Sequence, residues 1–270
     1  MIPKIIHWCW FGGNTVPEDV QNYVATWEKC CPDWDIIRWD ESNFDVTQNA
    51  YCREAYEQKK WAFVADYARL KVLYDYGGFY LDSDVEMIKS LDVFRSYDAV
   101  SGYESERNIP TGTMGGVKHN EWIALLLKEY DRRHFLQPDG SVDMTTNTAL
   151  ITRLTVEVYG IRLTNQITKF GRDERMVLFP SDYFCAKDPD TEIIMKTANT
   201  YTIHHFKGTW LPEYMQRNRR FRDWCRKVFG SRYGELLFRA YHYIFVHKVG
   251  HVIHAWNKHV RADCIIKLNT

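Results

Sequence analysis

The chain has 270 residues, 45% of them apolar and 26% charged, and its 35 basic and 35 acidic side chains cancel to a formal net charge of zero. That length supports one sizeable core and is short for two. The balance is uneven along the chain, since Arg217 to Lys267 holds 12 Lys/Arg against 3 Asp/Glu; an acidic body with a basic end points to an anionic partner for that end, a membrane surface first.

Seven cysteines, odd in number and without a Cys-x-x-Cys pair, argue against a zinc site or a disulfide framework and fit a reducing compartment. No apolar stretch with a small-residue cleavage site opens the chain, and no run of about 18 uncharged apolar residues occurs. The expected location is therefore cytoplasmic, peripheral on the inner face of the cell membrane.

In chain order, Lys4 to Phe11 reads as a buried first strand closed by Gly12-Gly13-Asn14, Val20 to Lys29 as a helix and Asp35 to Trp39 as a second strand. Val64, Ala65, Ala68, Val72, Leu73 and Tyr76 recur at helical spacing between Trp61 and Tyr76, and Gly77-Gly78 stops that helix. Phe79-Tyr80-Leu81 is then a short buried strand with Asp82 and Asp84 just past its end. Further on, Asp98 to Tyr103 reads as a strand, Glu121 to Arg133 and Asn147 to Tyr159 as helices, and Tyr201 to Phe206 as a late strand. The alternation of strands and helices predicts an α/β fold. After Arg217 a stripe of Leu236, Leu237, Ala240, Tyr241, Ile244, Phe245, Val249, Val252, Ile253 and Trp256, with Arg239, His242, His247, His251 and His254 opposite, predicts an amphipathic helix. Domain boundaries follow: a catalytic domain over 1–216 and a basic, aromatic helical tail over 217–270, membrane-apposed or packed on the domain. No nucleic-acid-binding motif accompanies the basic residues, so nucleic acid is not an expected partner.

Two carboxylates one residue apart at the open end of a buried strand are costly unless a cation or basic partner neutralises them, and hard oxygen ligands suit Mg²⁺ or Mn²⁺. Asp-x-Asp alone is a weak signal. Its setting strengthens it, because Asp66 and Arg69 lie three residues apart on one face of the helix that feeds the Asp82 strand. A carboxylate for sugar hydroxyls would thus sit beside a guanidinium for phosphate or sugar oxygens.

Trp61 to Leu70, Leu73-Tyr74 and Gly77 to Val85, with Ile2 to Gly13 before them and Ile203-His204-His205-Phe206-Lys207-Gly208-Thr209-Trp210 after, resemble glycosyltransferase family 32. That family includes bacterial capsule and lipopolysaccharide sugar transferases, fungal Golgi mannosyltransferases and, more distantly, large glucosylating toxins. The resemblance implies a GT-A type, Rossmann-like nucleotide-sugar-binding fold and a retaining, metal-dependent hexosyl transfer. It implies a nucleotide-sugar donor, a UDP-hexose ahead of GDP-mannose, and an oligosaccharide or lipid-linked glycan acceptor in surface polysaccharide synthesis.

By the same resemblance Trp10 would stack on the donor base, and Asp66 and Arg69 would hold the donor sugar. Asp84 would bind the cation, Asp82 the ribose and the cation, His205 would be the third metal ligand, and Trp210 would meet the β-phosphate. Thr111 to Gly116 would line the acceptor side, and Asn147 stands where relatives carry a polar residue near the reacting centre. Period-2 alternation turns His204 and His205 to opposite faces, with His205 favoured for the cation. Ala65 departs from the family, where many members have Ser. Rival readings are a haloacid-dehalogenase phosphatase, disfavoured by Glu86 two residues after the motif, a protein-glycosylating effector, and a non-catalytic nucleotide-sugar-binding module.

Overall fold

The computed structural model describes residues 1–106, 108–109, 112–188, 192–208 and 213–241, with the side chains of 213–215, 219, 231 and 232 outside the description. Trp210, Thr111 and the tail positions from His242 onward lie outside the described residues. The chain divides into two compact units, Met1–Lys207 and Gly208–Thr270.

In the first unit the elements run β1 (Ile5–Cys9), α1 (Glu18–Cys30), β2 (Asp35–Trp39), α2 (Ala50–Glu57), α3 (Trp61–Tyr76), β3 (Gly78–Leu81), β4 (Val85–Met87), β5 (Ala99–Gly102), β6 (Thr113–Gly116), α4 (Glu121–Glu129), α5 (Asn147–Tyr159), β7 (Thr168–Phe170), β8 (Met176–Phe179), α6 (Ser181–Phe184) and β9 (Thr202–His204). The main sheet has the order β2-β1-β3-β6-β5-β8-β7. β1 is parallel to both β2 and β3, and β5 is parallel to β8. β6 runs against both its neighbours, and β7 against β8. β4 and β9 form a separate antiparallel pair. The α/β class expected from the sequence is thus present.

Alternation along the strands divides the apolar side chains between two cores. Ile6 and Trp8 of β1, Phe79 and Leu81 of β3, and Val177 and Phe179 of β8 join the α1 side with Val20 and Trp27. Cys9, Tyr80, Met176 and Leu178 point the other way, to α3, α4 and α5. The same period carries Asp82, two residues past Tyr80, toward the α3 face. α3 itself is buried on most sides, through Phe63, Val64, Tyr67, Ala68, Leu70, Val72 and Leu73, because sheet and helices enclose it. Gly77 ends it at φ 68, donating its N–H to the Leu73 carbonyl at 2.9 Å. A Cβ there would lie 2.7 Å from the Lys118 nitrogen, so glycine is required for both conformation and space.

The Thr113–Gly116 stretch, expected to line the acceptor side, is the buried strand β6, whose Gly115 leaves the room that the Phe79 ring fills. One helix boundary needs correction. Helix α4 stops at Glu129 rather than Arg133, because Tyr130, Asp131 and Arg132 donate to carbonyls three residues back and tighten the end of the turn. The six described cysteines are all free.

In the second unit α7 (Glu213–Tyr241) breaks at Gly230, at φ 77 and ψ 159, into two helical segments. Gly234 packs on Cys225, where a Cβ would come within 2.4 Å of the Cys225 carbonyl. Arg226 holds Glu235 through two bonds of 3.1 and 2.7 Å, and Phe221 meets Tyr241 at 4.6 Å. The amphipathic helix expected from Leu236 onward is helical as far as Tyr241, where it forms the end of the second arm of this hairpin; the remainder lies outside the described residues. Trp224, Val228, Phe229, Tyr233, Leu236 and Leu237 remain exposed on it. Among the described residues no helix is long and apolar enough to cross a membrane.

His7 ties the strands to the end of α3. It is fully buried, with Nδ1 3.0 Å from the Trp39 indole nitrogen and Nε2 2.8 Å from the Gly77 carbonyl oxygen. The indole only donates and the carbonyl only accepts, which fixes a neutral ring with its hydrogen on Nε2. Burial pushes its pKa down to about 4, against the smaller opposing effect of the Gly77 bond. Between pH 6.5 and about 4 the unfolded chain therefore takes a proton that the folded one refuses, and stability falls as pH falls. The unfolding free energy of wild type minus that of His7→Phe is expected to shrink by about 2 kcal/mol between pH 7 and pH 5; urea titrations at the two pH values that give equal differences would contradict the assignment.

Candidate cation and donor site

The site lies where α3, the exit of β3 and the β4/β9 pair meet. Residues 66 and 69 share one face of α3, and Arg69, only 5% exposed, reaches Asp66 at 3.0 Å and Asp82 at 3.1 Å. Its guanidinium also lies over the Tyr80 ring, 4.6 Å from the centroid. Burial alone would disfavour the charged guanidinium, but Asp82, Tyr80 and Asp66 more than compensate and hold its pKa above the ordinary arginine value.

Asp82 leaves β3 with its N–H on the Gly112 carbonyl, 2.9 Å away. Val85 of β4 pairs with His204 of β9, which brings the His204 ring to Asp84 Oδ1 at 3.2 Å and to Asp82 Oδ2 at 3.8 Å. A Cβ at Gly112 would sit 2.8 Å from the His204 ring, so a glycine is needed to admit the imidazole. Burial opposes the imidazolium, yet the Asp84 carboxylate outweighs it and holds the His204 pKa well above 6.5. Asp84, although desolvated, is correspondingly held far below the usual carboxylate range by His204 and by the Lys207 N–H, which donates to Oδ2 at 2.7 Å.

Asp66 has the opposite fate. Burial raises its pKa to about 6 and Asp82 adds to that rise, while Arg69, Arg133 and Asn147 work against it. Around it the buried Tyr51 Oη, Asn147 Nδ2 and Arg133 Nη1 make no full hydrogen bond among the described residues. Asn147 opens α5 and receives the Tyr130 hydroxyl at 3.4 Å. Arg133 is held by Asp143 at 2.6 Å and lies against both the Tyr51 and Tyr130 rings. Donors such as Asn147 Nδ2 beside a carboxylate acceptor form a mixed set that suits a hydroxyl, which both gives and takes a hydrogen bond.

One ligand atom each from Asp82, Asp84 and His204 lies within 4.8 Å of the others. Two carboxylate oxygens and an imidazole nitrogen at that separation fit a small octahedral cation, whose neighbouring ligands stand about 3 Å apart. Mn²⁺ or Mg²⁺ would be held by these three residues.

The structure thus brings Asp66, Arg69, Asp82, Asp84 and Asn147 together. His205, favoured by the sequence, is not at the carboxylates: its Nε2 meets Glu86 Oε2 at 3.0 Å and its ring stacks on Tyr23, while His204 takes the position beside Asp84. The reason is that β9 ends at His204 and the chain turns at Phe206 with φ 51, carrying His205 away. The sequence held a signal for this, since Ile203 is fully buried and the residue after it must face away from that core. Trp10 stands past the end of β1, half-buried, with its indole nitrogen on the Asn14 carbonyl at 2.8 Å. Gly112, the Lys207 N–H and Arg133 carry no motif that spacing alone could expose.

Residues 17–101 match the family model described as "Glycosyltransferase sugar-binding region containing DXD motif". The chain is 32% identical over 141 residues to inositol phosphoceramide mannosyltransferase 3 of Schizosaccharomyces pombe (strain 972 / ATCC 24843), covering 50% of this chain and 38% of that protein. It is 24% identical over 220 residues to an uncharacterised glycosyltransferase of Acanthamoeba polyphaga mimivirus, covering 78% of this chain and 85% of that one. Among solved structures, "PaToxG Glycosyltransferase" is similar at a TM-score of 0.45 and 18% identity, over 58% of this chain and 69% of that chain. The chain spans well under two thirds of the length of the fungal mannosyltransferases it matches. The resemblance to that family is carried by residues 17–101, a stretch that includes both the Asp66–Arg69 pair and the Asp82–Asp84 motif.

Proposed function

We propose that the chain is a retaining, divalent-cation-dependent glycosyltransferase that moves a hexose from a nucleotide-sugar to a glycan acceptor. The observation that carries this reading is the convergence of Asp82, Asp84 and His204 ligand atoms within 4.8 Å, next to the Asp66–Arg69 pair. A UDP-hexose donor is the first reading; the fungal relatives, named as mannosyltransferases, put mannose beside it.

Sugar transfer breaks the bond from the anomeric carbon to the diphosphate and leaves charge on the departing oxygen. A divalent cation, when bound, supplies positive charge against that oxygen. Asp82, Asp84 and His204 hold and orient it, while Arg69 fixes Asp82 relative to Asp66. Asp66, with the Asn147 amide beside it, receives the hydroxyls of the donor sugar. The acceptor hydroxyl attacks on the face from which the diphosphate leaves and passes its proton to an oxygen of the departing diphosphate, which retains the configuration and requires no side-chain nucleophile.

Two experiments test this. Thermal melts with UDP, GDP, UDP-sugars and GDP-mannose are expected to rise by several degrees for the true donor only when Mn²⁺ is present. Asp84→Asn is expected to abolish the cation dependence and to cut turnover at least about 100-fold with the fold intact, because it removes charge and little volume; near-wild-type turnover would rule out the cation role.

The second unit fits peripheral binding at the cytoplasmic face of a membrane, where a lipid-linked glycan acceptor would lie. Trp224 and Phe229 are exposed beside Arg220 and Lys227, the mix of apolar anchors and cations that anionic interfaces take up. Pelleting of the full chain with anionic vesicles is expected to weaken several-fold with added salt and on Trp224→Ser with Phe229→Ser. Equal pelleting with neutral vesicles would refute it.

A further inference from the structure

The residues on both sides of Phe206, just after β9, are tied down by hydrogen bonds. The His205 N–H donates to the Asp84 carbonyl at 3.0 Å, and its carbonyl accepts from Lys187 Nζ at 3.0 Å. The Lys207 N–H donates to Asp84 Oδ2 at 2.7 Å. Between them Phe206 sits at φ 51, a left-handed conformation that a bulky aromatic adopts only when its surroundings enforce it. That turn aims both flanking N–H groups at Asp84, one at its backbone and one at its carboxylate.

The enforcement comes from α1. The Tyr23 ring stacks on His205 at 4.8 Å and 25° on one hand, and lies under the Lys207 ammonium at 4.9 Å on the other. Asp19, one turn earlier on α1, forms an ion pair with the same ammonium, and Glu86 of β4 holds His205 Nε2. Tyr23 is thus the common support of the residues on both sides of Phe206. Neither the DXD motif nor the sugar-binding pair accounts for it.

We propose that Tyr23, assisted by Asp19, is a positioning residue for the cation: it clamps the His205–Lys207 turn so that the Lys207 N–H holds Asp84 Oδ2 and leaves Oδ1 toward His204 and the ion. This rests on the reading in which Asp82, Asp84 and His204 bind a divalent cation. Removing the ring frees the turn, lets Phe206 relax out of the left-handed region and withdraws the Lys207 N–H from Asp84. The ion then loses its oriented carboxylate although every ligand is still present. A phenylalanine ring at position 23 keeps both the stacking on His205 and the face under the ammonium.

Mn²⁺ binding to the full chain, followed by the electron paramagnetic resonance signal of the free ion with no donor added, tests this separately from turnover. Tyr23→Ala is expected to raise the Mn²⁺ Kd at least fivefold, Asp19→Asn to raise it less, and Tyr23→Phe to restore the wild-type value, with circular dichroism unchanged throughout. Tyr23→Ala with a wild-type Kd, or Tyr23→Phe as impaired as Tyr23→Ala, overturns the clamp while leaving the cation site standing. Wild-type chain that binds no Mn²⁺, or Asp84→Asn that binds it equally, removes the cation reading and the clamp with it.

Discussion

A line of alternating charges, Asp66, Arg69, Asp82, His204 and Asp84, is the constraint around which this part of the molecule is arranged. Each member is buried or partly buried and each touches a neighbour of opposite sign within 4 Å. Such groups cannot be buried singly, and leaving one partner of a buried pair alone costs about 3–5 kcal/mol. Arg69 is the hinge of the set, since it is the cation that touches both Asp66 and Asp82. Two carboxylates deprived of that guanidinium would repel each other or take up a proton, and Asp66, already raised to about 6, would go first.

The fold delivers this line by backbone economy. Gly77 turns α3 directly into β3, so residues 66 and 69 on the helix and residue 82 beyond the strand are separated by a single reversal of the chain. His7 locks that reversal from below through the Gly77 carbonyl. Gly112 provides the opening through which the His204 ring reaches the carboxylates. None of these three touches a reacting atom, yet each sets a distance that the charges require. A Cβ at either glycine would have to be absorbed by backbone or ring atoms that are themselves fixed.

The features legible in the sequence are those with local causes. The Trp61–Tyr76 helix, the strand after it and the carboxylates at its end follow from periodicity and glycine stops. Asn147 at the head of α5 was legible through resemblance alone. What escaped was decided by contacts between distant segments. That Thr113–Gly116 forms a strand depends on Phe79, whose ring fills the space at Gly115. His205 looks the better ligand until Tyr23 and Glu86, far away in sequence, claim its ring. Gly230 breaks the helix ahead of the tail stripe and Gly234 packs on Cys225, a fold-back that the spacing of the stripe itself does not announce.

His204 shows how a proton and a divalent cation can serve the same geometry in turn. With the ring protonated, the line holds three negative and two positive charges, an excess of one negative that suits buried but water-accessible groups. A divalent ion held by Asp82, Asp84 and the neutral His204 would replace one positive charge by two and bring the line to neutrality. The two states need the same separation between His204 Nε2 and Asp84 Oδ1, 3.2 Å in the protonated pair and about 3 Å between neighbouring ligands of an octahedral ion. Cation entry would require little further side-chain ordering, because the His204 ring already stands at 3.2 Å from Asp84 and 3.8 Å from Asp82. The same Asp84 that orients His204 also holds the ring's proton, which a bound ion would have to displace.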